Sequence, residues 1–289
     1  MKVTIIGGAG RMGLWFARYF KSNDHIVTIS DIEEKARIIA EKEGFLFVES
    51  NLDAVKDADL IIISVNIESV PKVIKEIEQN LKKGSIVAEI SSIKAHIINA
   101  LINLAKKDVT TLSIHPFFGP GARTLKGKKI AVIPIKDLKK EVNLVRKLFP
   151  KAIVDTIGAE EHDKIMALTL SLPHFLNIVF ASTLSNEDMN NLRRFAGPSF
   201  TLQLILAESM LTEKPNIYAS IQIMNKYTYQ CLERLLKEAR TLKEIIRHKK
   251  QEELVSFFEK IRNNLLKDIE VIKPYEKLYE IVERLELRD

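Results

Sequence analysis

Three glycines and an aspartate near the start of the chain have the spacing of a nucleotide site. Gly8, Gly10 and Gly13 stand in "GGAGRMG", directly after the apolar run Val3–Ile6, and make G-x-G-x-x-G. The first glycine permits a tight turn, the second lets backbone approach a pyrophosphate, and the third lets helix and strand pack closely. A helix beginning at Arg11 and Met12 would aim its N–H groups and positive dipole end at phosphate oxygens. Asp31 follows about 20 residues on, at the end of the next strand run, where a carboxylate can bind adenosine ribose hydroxyls. An acid there repels a 2′-phosphate and favours NAD over NADP, a preference tempered by Lys35 and Arg37.

Three further strand runs end in polar residues. "LIIIS" ends in Ser64, followed by Val65; "IVAEI" runs into Ser91 and Ser92; "TLSI" runs into His115. In an open α/β sheet, ligands bind beyond the carboxyl ends of the strands, so these residues fall on the expected nicotinamide side. Oxidising an alcohol by hydride loss needs a group to take the hydroxyl proton. Histidine suits that task, with an ordinary pKa of about 6.5. The rigid "HPFFGPGA" loop would hold the ring in place. Ser91 or Ser92 could also cap a helix starting near Lys94.

The elements that must position these groups follow from pattern. Strand runs occur at Val3–Ile6, Ile26–Ser30, Phe45–Val48, Leu60–Ser64, Ile86–Ile90, Thr111–Ile114, Ile130–Ile133 and Ile153–Thr156, with helical patterns between most of them. Such alternation predicts a doubly wound parallel sheet, a Rossmann domain, over residues 1–157. Beyond Gly158 the strand signals stop, and residues 158–289 are expected to form an all-helical domain for substrate binding and dimerisation. The stretch Ile165–Asn186 carries no Asp, Glu, Lys or Arg. Its length approaches that of a membrane span, but Pro173, His174 and Asn177 interrupt it, so a buried central helix of a soluble domain is expected.

Composition narrows the field. The 289 residues are 46% hydrophobic with a formal charge of +6, and basic and acidic side chains are interleaved. Nothing resembles a nucleic-acid motif. One cysteine, Cys231, excludes an intrachain disulfide and fits a reducing, cytoplasmic setting. "MKVTIIGG" is not expected to be a signal peptide. No metal-ligand spacing is evident, so no metal is expected.

"SSIKAHI", "HPFFGPGA" and "GAEEHDKIMALTLSLPHFL" together resemble the prephenate dehydrogenase (TyrA) family, with its S-V-K, H-P-x-F-G and E-H-D…H motifs. The resemblance implies NAD-dependent oxidation of prephenate with loss of CO2, giving 4-hydroxyphenylpyruvate for tyrosine biosynthesis. It implies a catalytic role for His115, with Ser92 bonding the same substrate hydroxyl or orienting the ring. It implies a place beside nicotinamide or substrate for His174, which a regular helix would set on one face with Met166 and Leu170. A dicarboxylate substrate needs cations. Where one branch of the family has an arginine in S-P-x-Y-R-L, this chain has Thr201 in "GPSFTL", so Arg123, Arg193 and Arg194 become the candidates. His162 is expected to bond at the domain junction, and Asp163 to serve as a first-turn acid. Family helical domains pair subunits, which implies a homodimer. No strand-containing regulatory domain is expected, so any tyrosine feedback would act at the active site. The alternatives are an arogenate dehydrogenase, a lysine-based hydroxyacid or imine dehydrogenase, and a non-enzymatic dinucleotide sensor.

Overall fold

The computed structural model describes residues 1–265 and 273–286, in two compact units, Met1–Met166 and Ala167–Asp289. The first unit runs β1 (Lys2–Ile6), α1 (Arg11–Lys21), β2 (Ile26–Ser30), α2 (Lys35–Glu43), β3 (Leu46–Phe47), α3 (Asn51–Ala54), β4 (Leu60–Ile63), α4 (Val70–Ile77), β5 (Ile86–Glu89), α5 (Ile98–Leu104), β6 (Thr110–Pro116), β7 (Lys129–Ile133), α6 (Leu138–Leu148), β8 (Ile153–Thr156) and α7 (Ala159–Met166). All eight expected strands form at or within two residues of their expected positions. They make one sheet in the order β3-β2-β1-β4-β5-β6-β7-β8.

The strand order reverses direction at β1, which lies between β2 and β4. The loop after β1 is therefore at the switch point, where such sheets bind ligands. All four residues of β4 are buried, as an unbroken apolar run must be when helices cover both faces. The helix α1 buries Gly13, Phe16, Ala17 and Phe20. Phe16 and Phe20 meet Ile5, Ile29, Leu112, Ile114 and Phe149 in the main core.

The sheet departs from all-parallel at one strand. β7 runs antiparallel to β6, pairing Ser113 with Ile133 and His115 with Ala131. A parallel return needs a crossover, usually a helix, and the Phe117–Lys128 connection contains none. The reversal also lengthens β6. Its pairing with β5 stops at Ser113, whereas its pairing with β7 continues to Pro116. His115 therefore sits inside a strand that overhangs β5, not in the loop beyond it.

The second unit opens with a π-helical turn, Ala167–Ser171, and continues through α8 (Leu172–Leu184), α9 (Met189–Arg194), α10 (Pro198–Leu211), α11 (Pro215–Met224), α12 (Thr228–Arg247), α13 (Gln251–Leu265) and α14 (Pro274–Glu286). α10, α11 and α14 each begin with proline, which tolerates the first turn because it has no N–H to satisfy. Asp188 caps α9 through the N–H groups of Asn190 and Asn191. α8 packs on α10, with Gln203 donating to Asn177 at 2.6 Å and Phe180 edge-on to Phe200.

The expected buried central helix is not buried within this chain. Asn177 is the only residue of α8 below the surface, while Leu176, Ile178 and Val179 are more than two-fifths exposed. The stretch Ala159–Leu184 is apolar enough and long enough to cross a membrane by length and composition. Helices packed in pairs cover only one face each, so the outer apolar faces of α8, α10 and α11 need cover from elsewhere.

Candidate active site

The turn between β1 and α1 is built by exclusion. Gly7 has φ +79°, a left-handed conformation open to glycine, and a Cβ on it would lie 2.3 Å from the Ser64 carbonyl oxygen. A Cβ on Gly8 would lie 2.5 Å from Ile29, and one on Gly13 would lie 2.1 Å from the Gly7 oxygen. A Cβ on Gly10 would meet only the Gly7 oxygen, at 3.2 Å. Three glycines thus close strand, turn and helix on one another, and the fourth leaves room above the turn. The sequence motif credits Gly8 with the tight turn; the left-handed residue is Gly7, one position earlier.

Gly10 caps α1 without a side-chain hydrogen bond, and a helix leaves its first N–H groups without intrahelical acceptors. Arg11 is exposed there, and Met12 packs partly into the core. Asp31, at the end of β2, accepts hydrogen bonds from the N–H of Ala9 in the turn (2.8 Å) and of Glu33 (3.0 Å). Ser64 and Val65 lie directly against Gly7. Lys35 lies 4.0 Å from Glu33, and the Arg37 guanidinium lies over the Phe47 ring. The backbone space, uncapped helix start and acid fit a dinucleotide.

A buried polar cluster surrounds the overhanging end of β6. Glu89, the last residue of β5, and Lys94 are both fully buried and 2.7 Å apart. The Lys94 ammonium also donates to the Ile114 carbonyl at 2.7 Å. Glu89 further accepts from the Ser113 hydroxyl and, at 2.8 Å, from the Ser91 N–H. Next to this pair, His115 Nδ1 is 2.8 Å from His162 Nε2, and His162 Nδ1 is 2.8 Å from Asp163 Oδ1. Asp163 in turn accepts from the N–H of Lys94 (2.9 Å) and of Ala95 (2.8 Å). Burial first, then the Lys94 ammonium and the adjoining His162 ring, hold the His115 pKa well below the ordinary histidine value. Burial also lowers that of Lys94, against the pull of Glu89 and Asp163.

The loop after β6 is pinned from outside. Trp15 donates its indole N–H to the Ala122 carbonyl at 2.7 Å, and its ring packs on Phe118. Phe117 lies against the His115 ring, with centroids 4.8 Å apart. The rigid "HPFFGPGA" segment is thus anchored to α1 at one end and to the histidine at the other.

The remaining candidates separate. Ser92 is half-buried in the turn after β5. Neither serine caps the following helical turn; the carboxylate of Asp163, 68 residues further on, takes the Ala95 N–H. His174 is in the second unit on α8, edge-on to Tyr218 at 4.8 Å, with a buried Nδ1 lacking a hydrogen-bond partner. Burial lowers its pKa. Met166 closes α7 and Leu170 lies in the π turn, so the expected single α-helical face through His174 is interrupted. Arg193 pairs with Glu208 on α10, and Arg194 lies over Phe195. The Thr201 hydroxyl donates to the Gly197 carbonyl of its own helix. Arg123 is exposed on the pinned loop.

Two family models match successive parts of the chain. The nucleotide-binding domain of prephenate dehydrogenase matches residues 16–155, and the dimerization domain of prephenate dehydrogenase matches residues 158–260. The chain belongs to the prephenate dehydrogenase family. A probable arogenate/prephenate dehydrogenase of Methanocaldococcus jannaschii is 32% identical over 265 residues, covering 88% of this chain and 59% of the relative. A probable NADP-linked prephenate dehydrogenase of Schizosaccharomyces pombe is 26% identical, covering 78% of this chain and 53% of the relative. This chain therefore spans a little over half the length of these curated relatives. The crystal structure of Aquifex aeolicus prephenate dehydrogenase, solved with hydroxyphenyl propionate and NAD+, shares the fold. Its TM-score is 0.74 at 22% identity, over 92% of this chain and 98% of that one.

Within the prephenate dehydrogenase fold, several site-building residues were not singled out from sequence. Glu89 had a signal, an acid inside an apolar strand run with a lysine five residues on. Gly7, beside the motif, had one too. Asp163 had only its place in the E-H-D motif and was read as a first-turn acid, because its hydrogen-bond partners lie 68 and 69 residues away.

Proposed function

We propose that this chain is an NAD-dependent prephenate dehydrogenase, with His115 as the base that takes the ring hydroxyl proton. The observation that carries this reading is a buried imidazole, its pKa held well below the ordinary value, on a strand overhanging the nucleotide edge of the sheet. A neutral ring has a free lone pair at working pH, as a general base requires. Gly10, the start of α1 and Asp31 hold the dinucleotide, and Asp31 selects NAD. The chemistry NAD supplies when bound is acceptance of the hydride. As the hydroxyl proton passes to His115, the bond to the departing CO2 gives its electron pair to the ring, which becomes aromatic. Ser92 hydrogen-bonds the same hydroxyl, and His174, with its unpartnered buried nitrogen, contacts nicotinamide or substrate.

The substrate carboxylates require a cation other than the one that Thr201 replaces. Arg193 already faces Glu208. Arg123 has no carboxylate partner among the described residues and lies on the pinned loop that follows the strand of His115, so it is the proposed clamp. Substrate binding and dimerisation are assigned to the helical residues from 158 onward, although α7 (Ala159–Met166) groups with the first compact unit. A second copy of the chain covers the exposed faces of α8, α10 and α11, in line with the dimerization-domain match, in a cytoplasmic enzyme.

NADH formation should be followed with prephenate and with arogenate, each against NAD and NADP. Turnover of prephenate with NAD is expected. Faster turnover of arogenate would reassign the substrate, and reduction with neither would sink the proposal.

A further inference from the structure

We propose that His162 and Asp163 are positioning residues for His115, holding its ring with the proton on Nδ1 so that Nε2 is the accepting nitrogen. This rests on the reading of His115 as the base. The chain of hydrogen bonds allows few proton placements. The two oxygens of Asp163 already receive the backbone N–H groups of Lys94 (2.9 and 3.2 Å) and Ala95 (2.8 Å). An ionised carboxylate only accepts, so the proton in the 2.8 Å contact with His162 lies on His162 Nδ1. A neutral imidazole protonated at Nδ1 accepts at Nε2. The proton in the 2.8 Å contact between the rings therefore lies on His115 Nδ1. That leaves His115 Nε2 with its lone pair.

The alternative is an imidazolium at His162 donating to His115, which would put the His115 proton on Nε2 and abolish the base. It would add a second cation to a fully buried cluster that already holds the Lys94 ammonium. The groups facing the His115 ring are His162 and Asp163 from α7, Lys94 from the turn after β5, Glu89 on β5, and the uncharged ring of Phe117. Among the described residues, only Asp163 is bonded to His162 in a way that dictates which nitrogen carries the proton. The same carboxylate ties α7 to the Lys94 turn, so position and tautomer are set by one group.

Asp163→Asn tests this directly. The Lys94 and Ala95 N–H groups still need an oxygen, so the amide nitrogen must turn toward His162 Nδ1. His162 would then carry its proton on Nε2 and donate to His115 Nδ1, forcing the His115 proton onto Nε2. The expected result is a fall in kcat of about 10²–10⁴, the range for loss of a general base or its tautomer. The KM for prephenate should move by less than about threefold, because the lost interaction is made in the transition state. Nitrogen-15 NMR of histidine-labelled protein should show His115 as the Nδ1–H tautomer in the wild type and as Nε2–H in the variant.

A wild-type His115 in the Nε2–H form would overturn the proposal even if the enzyme were active, as would an Asp163→Asn enzyme within threefold of wild-type kcat. Should the variant not fold, the wild-type tautomer alone decides. An Nδ1–H tautomer in a protein that turns over neither prephenate nor arogenate would support the positioning and refute the catalytic reading.

Discussion

Two sites meet at the carboxyl edge of this sheet, and they are built by opposite means. The dinucleotide turn is made of backbone and of absent side chains: Gly7, Gly8 and Gly13 leave no space for a methyl group, and its one acid is Asp31, bonded to the turn. The cluster around His115 is made of side chains that are charged or polar, buried, and drawn from β5, the turn after it, β6 and α7. The first tolerates no added atom. The second tolerates no lost partner, because a charge buried alone costs more than the pair ever stabilised.

That contrast can be tested from the largest expected effect to the smallest. His115→Asn should lower kcat/KM for prephenate by about 10²–10⁴, followed as NADH formation; a variant near wild type would remove the chemistry from this cluster. Lys94→Met leaves Glu89 buried and unpaired, and should destabilise the fold by about 3–5 kcal/mol in urea unfolding. Adding Glu89→Gln should recover most of that loss; no recovery would mean that the ion pair is not the reason. Gly13→Ala puts a methyl group 2.1 Å from a carbonyl oxygen and should cost about 1–3 kcal/mol by overpacking.

Gly10→Ala sharpens the comparison, since its methyl group meets little. It should weaken NAD binding in a fluorescence titration while changing stability by less than about 1 kcal/mol. Asp31→Ser removes the acceptor of the Ala9 N–H and the charge proposed to repel a 2′-phosphate. It should reduce the NAD-over-NADP preference by about tenfold, or about 1.4 kcal/mol. The smallest effect is in pH. As the proposed base, His115 must be unprotonated, and its pKa is lowered by burial, by Lys94 and by the adjoining His162 ring. Activity should therefore be lost on acidification only well below pH 6.5, and kcat/KM should stay level where an ordinary histidine is half protonated. A rising limb centred at the ordinary value would show that the cluster does not tune the ring.

The same division explains what could be read from residues alone. The strand runs and the glycine turn are local: period, apolar run length and a seven-residue motif specify them without knowledge of any distant part. The direction of β7 was not legible, because a Gly- and Lys-rich connection allows either sense and pairing with β6 decides. The face of His174 was misjudged because the π turn at Ala167–Ser171 breaks the α-helical phase. The exposed faces of α8 were read as buried because composition reports that a segment is apolar, not what covers it.

Asp163 illustrates the limit most sharply. In sequence it is one of several acids in a helical first turn, which the dipole favours. In the fold it is 1% exposed, caps another helical turn through backbone N–H groups, and bonds the histidine that bonds His115.

By itself the sequence determined a Rossmann sheet, a nucleotide turn at β1, an acid at the end of the second strand, and a histidine on the sixth strand. Those follow from short-range sterics, spacing and hydrophobic periodicity. Only the tertiary structure decided that the histidine lies in a dry cluster with a fully buried Glu–Lys pair and a His–Asp chain. Hydrogen bonds between residues some 50 to 70 positions apart depend on which strands become neighbours, and no local pattern along the chain encodes that.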